Sequence, residues 1–110
     1  MTGAELRRLP KYSIGIVSRM VGVHPQMLRR FEEAGLLEPA REGAEGKKKR
    51  PRLYSDEHIE ILMEIIELSY EGVNIAGIRH ILQLRQQIQM LQQEISEARA
   101  LLQHHHLDDE

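Results

Sequence analysis

The sixteen residues HPQMLRRFEEAGLLEP, positions 24–39, constrain the fold of this chain more than any other stretch. Pro25 suits the first position of a helix, where a missing N–H is not needed, and His24 before it takes the capping position. From there Leu28 and Phe31 fall on one face, which leaves Gln26, Arg29 and Arg30 to point elsewhere. Gly35 ends the helix. Just upstream, SIGIVSRMVGV (residues 13–23) spells a short helix with Ile14, Val17 and Met20 or Val21 inward, followed by a turn at Gly22. Two short helices therefore meet across a tight corner, with the spacing of a helix-turn-helix.

After the second helix, LLEPAR (residues 36–41) and RLY (52–54) are short extended segments on either side of EGAEGKKKRP, where Gly43, Gly46 and Pro51 are breakers. The pattern predicts a small two-stranded wing. Lys47, Lys48, Lys49 and Arg50 at its tip form a run of four cations that can lie along a phosphate backbone. A longer helix starts at Ser55, a good N-cap, with Asp56 and Glu57 in the first turn where the helix dipole favours negative charge. Ile59, Leu62, Met63 and Ile66 mark its expected buried stripe. It stops at Gly72, and Asn74 can cap the next helix, which begins IAGIRHIL.

From Ile81 the apolar pattern becomes a heptad, Ile81, Leu84, Ile88, Leu91, Ile95, Ala98 and Leu102, embedded in Gln, Glu and Arg. A 3.5-residue period keeps one narrow seam against a partner helix, so the expected structure is a dimerisation coiled coil and the expected assembly a homodimer. Charges leave strand direction open. A parallel pair brings Glu94 toward the partner's Arg99, and an antiparallel pair centred near Gln92 sets Arg85 against Arg99, each such contact contributing at most about 1 kcal/mol.

Size and charge narrow the function. A chain of 110 residues with 4% aromatics and no Trp holds one domain with a modest aliphatic core. Residues 1–55 carry 12 Lys/Arg against 6 Asp/Glu, and residues 56–110 carry 3 against 11. That asymmetry suggests a polyanion-binding head on an acidic body. The absence of cysteine rules out a disulfide framework or a thiolate metal site and agrees with a reducing cytoplasm. No apolar run approaches the roughly 18 residues of a membrane span, so a soluble cytoplasmic protein without membrane contact is expected. An enzyme reading finds no paired acid and base: His58 and Glu57 share the first turn of an amphipathic helix and read as surface. His104, His105 and His106, followed by Asp108, Asp109 and Glu110, read as a disordered tail rather than a metal site. No cofactor is implied. A coiled-coil adaptor with a basic head for RNA or an acidic protein is the rival reading, although Tyr12, Phe31, Tyr54 and Tyr70 are better explained as core or wing than as bases' stacking partners.

These residues together resemble the MerR family of winged-helix regulators. YSIGIVSRMVGV is similar to its first strand and helix, MLRRFEEAGLL to its recognition-helix signature, and RLYSDEHIEIL to its second wing strand and following helix, over about residues 12–85. Within the family, HPQMLRRFEEAGLL with EGVNIAGIRHILQL resembles the heat-shock repressor branch, HspR, although Met27 stands where that branch usually has Thr. Arg30 replaces an aromatic residue common in the family, and the lysine-rich wing loop is longer than usual. The resemblance implies a mainly α fold, with a winged helix-turn-helix head over residues 12–77 after an N-terminal arm (1–11), a dimerisation helix over 78–103 and a tail over 104–110. It implies an antiparallel coiled coil and a bacterial repressor of chaperone genes that binds double-stranded DNA at an inverted repeat, associated with the nucleoid when bound. It also implies the chaperone DnaK as co-regulator, for which the acidic helices from Asp56 onward and the tail, which DNA leaves free, are the expected docking surface. The candidate DNA-contacting residues are Ser13, His24, Pro25, Gln26, Arg29, Arg30, Arg41, Lys47, Lys48, Lys49, Arg50, Arg52 and Tyr54.

Overall fold

The computed structural model describes residues 2–41 and 52–108. In chain order the elements are α1 (Gly3–Arg8), β1 (Tyr12–Ser13), α2 (Ile14–Val21), α3 (Pro25–Glu33), β2 (Ala40–Arg41), β3 (Arg52–Tyr54), α4 (Asp56–Tyr70) and α5 (Ile75–Asp108). The chain divides into two compact units, residues 1–78 and 79–110.

Helix starts follow the capping rules. Ser13 accepts from the Ile16 N–H at 3.3 Å, and His24 Nδ1 accepts from the Gln26 N–H at 3.1 Å with Pro25 in the first turn. Asn74 Oδ1 accepts from the Gly77 N–H at 2.8 Å. Gly77 fits this cap because a Cβ there would lie 2.8 Å from Val73 Cγ1. The corner between α2 and α3 turns on Gly22 at φ 74°, a left-handed conformation that glycine adopts without penalty. The Ser18 hydroxyl donates to the Val23 carbonyl and closes the same corner.

The core of the first unit is aliphatic with two aromatic rings: Val17, Leu28, Phe31, Leu36, Leu37, Tyr54, Leu62, Ile65, Leu68 and Ile78 are buried. On α2, Val17 is fully buried and Val21 half-buried while Met20 is 52% exposed, which settles the choice left open between Met20 and Val21. On α4 the buried stripe is Leu62, Ile65 and Leu68, with Ile59 and Ile66 half-buried. Met63, expected in that stripe, is 60% exposed, because the side of α4 turned into the core is the one carrying Leu62, Ile65 and Leu68.

The sheet has three strands in the order β1-β3-β2, both pairs antiparallel: the expected two-stranded wing, β2 and β3, with β1 added on the other side of β3. Tyr12 pairs with Tyr54, Ser13 and Ala40 with Leu53, and Arg41 with Arg52. The first wing strand is also shorter than expected. Gly35 (φ 77°) reverses the chain, the Leu36 N–H donates back to Phe31 O at 3.0 Å, and Leu36 and Leu37 enter the core. Pro39 cannot donate to a ladder, so pairing begins at Ala40.

Two terminal segments are more ordered than the sequence suggested. The arm forms α1, closed by a reciprocal Thr2/Glu5 capping box, and has no buried residue. The expected disordered tail is helical through Asp108, since neither glycine nor proline follows Gly77 to stop α5.

Candidate nucleic-acid interface

Burial of Leu28 and Phe31 fixes which side of α3 faces outward. Gln26, Arg29, Arg30 and Glu33 are exposed, and their spacing of three, four and seven places them on one face opposite the core. Among the described residues no ion pair involves Arg29 or Arg30. Two cations and an amide thus project together from the second helix of a helix-turn-helix, where planar guanidinium and carboxamide groups match the donor and acceptor pattern of base edges. His24 and Pro25 lie at the start of this helix, His24 exposed and using its Nδ1 for the cap, Pro25 half-buried. Ser13 is exposed, with its hydroxyl spent on the start of α2.

Of the wing residues, Arg41 and Arg52 supply paired strand backbone. Lys47, Lys48, Lys49 and Arg50 lie outside the described residues. Tyr54 is a correction to the expected DNA-contacting set: it is fully buried, and its hydroxyl donates to the Glu32 carboxylate of α3. A ring with no exposed surface cannot meet a duplex. It ties the wing strand to the recognition helix instead.

One polar cluster was not anticipated. Lys11 Nζ lies 2.8 Å from Asp56 Oδ2, and the Tyr12 hydroxyl donates to Asp56 Oδ1 at 2.6 Å. Beside them Arg8 Nε is 3.7 Å from Glu57 Oε2, and Arg7 pairs with Glu60. Lys11 and then Tyr12 hold the Asp56 carboxyl below its usual value of 3.8, and hydrogen bonding to Asp56 raises both Lys11 and Tyr12 above theirs. Because Asp56 is depressed in the folded state, its contribution is present above 3.8 and disappears as pH falls through the lower folded value. The raised pair works oppositely, contributing up to 10.0 for Tyr12 and 10.5 for Lys11 and fading at higher pH. Amide-exchange protection of residues 3–13 should therefore be flat across neutral pH and drop at the acid end, and Asp56→Asn should remove the acid-side drop by lowering protection throughout. An acid limb unchanged in that variant would show that Asp56 does not carry it. The Arg-Arg pair followed by Lys11 was a readable cationic signal, but its carboxylate partners are more than forty residues away.

His58 also has a role the sequence did not disclose. Its Nδ1 accepts from the Ser55 N–H at 3.0 Å while the Ser55 hydroxyl accepts from the His58 N–H at 3.2 Å, a capping box with imidazole in place of the usual carboxylate. Its ring stands edge-on to Tyr54 with centroids 6.0 Å apart. Among the described residues no three His, Cys, Asp or Glu side chains are grouped to hold a metal ion, and no helix is long and apolar enough to cross a membrane.

On the seam of α5, Ile81 is half-buried, Leu84, Ile88, Leu91 and Ile95 are between 50% and 56% exposed, Ala98 is exposed and Leu102 is 69% exposed.

The architecture agrees with known proteins. The family model for the MerR HTH family of regulatory proteins matches residues 12–85. The chain is 37% identical over 94 residues to the heat shock protein HspR of Streptomyces coelicolor, covering 84% of this chain and 59% of that protein. It is 32% identical over 82 residues to the HTH-type transcriptional regulator GlnR of Bacillus cereus, covering 74% of this chain and 60% of that one. The chain thus spans about three-fifths of the length of these relatives. A crystal structure of a MerR-family transcriptional regulator from Bacillus cereus shares the fold, with a TM-score of 0.54, 22% identity, and coverage of 84% of this chain and 75% of that one. From the matched head, which takes in both helices of the helix-turn-helix and the sheet, we conclude that the chain is a member of the MerR HTH family of regulatory proteins.

Proposed function

We propose that this protein is a DNA-binding transcriptional repressor of heat-shock and chaperone genes that acts as a homodimer on an inverted-repeat operator. The observation that carries the DNA reading is the outward face of α3, where Gln26, Arg29 and Arg30 stand clear of the core on the second helix of a helix-turn-helix. The exposed heptad seam of α5 supports the dimer, since a second copy of the same seam would cover it. Family membership supports an antiparallel pairing. The heat-shock assignment rests on likeness to HspR, and DnaK is the proposed co-regulator, docking on the acidic helices from Asp56 onward. The likeness to GlnR favours a second reading, a regulator of other genes.

Footprinting and gel shift on the region upstream of the protein's own gene test this directly. Protection should cover two half-sites related by inversion, and the complex should tighten when DnaK is added and weaken when an unfolded client competes for DnaK. Arg29→Ala should cost roughly 1–3 kcal/mol on the operator and little on mixed-sequence duplex. Neutralising Lys47, Lys48, Lys49 and Arg50 should weaken both equally and flatten the salt dependence. Preference for single-stranded RNA over duplex would favour the adaptor reading, and indifference to DnaK would remove it as co-regulator.

A further inference from the structure

One peptide unit, Tyr54–Ser55, joins the wing strand to α4, and it is held from both sides. Its carbonyl, on Tyr54, accepts from the Lys11 N–H at 2.9 Å. Its N–H, on Ser55, donates to His58 Nδ1 at 3.0 Å. A backbone N–H can only donate, so Nδ1 carries no proton and the ring hydrogen sits on Nε2. The joint is buried: Ser55 is 2% exposed, Tyr54 has no exposed surface, and the Tyr54 ring stands edge-on to the imidazole. His58 itself is half-buried, so its ring can exchange protons with water.

An imidazole takes up a second proton between about pH 8 and 5, and that proton goes to the bare ring nitrogen, here Nδ1. The Ser55 hydroxyl, 3.1 Å from Nδ1, can then turn from donor to acceptor. The Ser55 N–H cannot turn, and at a buried position a donor without an acceptor is costly. Surrounding charge does not offset the loss. On α4 itself Asp56 is taken by Lys11 and Tyr12, Glu57 by Arg8 and Glu60 by Arg7. From β3 comes Tyr54, whose hydroxyl goes to Glu32 of α3, and Arg19, the one charged residue of α2, is exposed. Among the described residues no ion pair involves His58, and the positive end of the α4 dipole opposes a cation there.

We propose that His58 is a proton-operated pin on this joint: with Nδ1 bare it fixes the Ser55 N–H and the first turn of α4, and protonated it releases that N–H and frays the turn. The Lys11 bond on the carbonyl side does not involve the ring and stays. His24, whose Nδ1 accepts from the Gln26 N–H at 3.1 Å, has the same chemistry at the start of α3. Both His24 and Gln26 are exposed, so water takes over the freed N–H and little is lost. Burial makes His58 the sensor.

The test compares amide exchange of the full-length protein, corrected for the intrinsic effect of pH, at about pH 7.5 and pH 5.5 for the wild type, His58→Gln and His24→Gln. Gln at position 58 keeps an acceptor oxygen in the capping box and takes up no proton. Protection of the Ser55 and His58 amides should fall roughly five- to tenfold in the wild type between the two conditions, the scale of one capping bond. That of Ser55 should stay level in His58→Gln and fall as in the wild type in His24→Gln. A level wild type, an equal fall in His58→Gln, or a fall abolished by His24→Gln overturns the pin. Nitrogen chemical shifts of the wild-type imidazole give a check that needs no variant. At about pH 7.5 Nδ1 of His58 should be the bare nitrogen and Nε2 the protonated one, and the reverse tautomer overturns the proposal whether or not His58→Gln folds.

Discussion

Leu91→Glu together with Ile95→Glu should convert the protein to a monomer in sedimentation and reduce operator affinity by roughly a hundredfold or more, because two tethered heads bind at each other's effective concentration and a lone head does not. Leu91 is 56% and Ile95 50% exposed in the single chain, so the substitutions leave no buried carboxylate in the monomer. Their cost falls on the seam between copies, where four added charges would face one another. The head, whose core lies in residues 1–78, should keep its thermal transition. A double variant that sediments as a dimer and binds normally would remove the α5 seam as the interface.

The second large effect is expected at Tyr54. Truncating a fully buried aromatic side chain costs about 3–5 kcal/mol, most of the net stability of a domain this small. Tyr54→Ala should therefore leave the head largely unfolded. Tyr54→Phe keeps the ring and loses the hydrogen bond to Glu32, for a loss of about 1–2 kcal/mol, the upper end applying because the acceptor is a carboxylate. Its operator affinity, measured below the transition, should match the wild type. If instead Tyr54→Phe weakened DNA binding as strongly as Arg29→Ala at unchanged thermal stability, the hydroxyl would be a phosphate contact and the burial of this residue would not describe the bound state.

The parts of the fold that were legible in the sequence are those set by local chemistry. Proline after His24, serine before the Asp56 turn and asparagine before the last helix each mark a helix start, because capping is decided within three or four residues. The faces of α2 and α3 follow from apolar spacing in the same way. Tyr54 was misplaced because a tyrosine two residues after an arginine, in a strand of only three residues, looks alike from either side. Only pairing with Tyr12 and proximity to Glu32 fix which face it occupies. Met63 was misplaced because Ile59, Leu62, Met63, Ile65, Ile66 and Leu68 offer apolar residues around much of the helix, and the neighbours of α4 choose among them. The arm's cations were visible, but their meaning depends on Asp56, Glu57 and Glu60, which are distant in sequence.

The joints of the head leave no slack. β1 ends at Ser13, which is itself the N-cap of α2, and a single residue, Ser55, separates β3 from α4. Inserting one residue at either joint would turn the whole following helix by about 100° relative to its strand and carry Val17 or Leu62 out of the core. Between β2 and β3 a change of length meets no such coupling, since residues 42–51 connect two strands already paired to each other. Between β2 and β3, residues can therefore be added or removed without altering how α3 is held, whereas at the two joints they cannot.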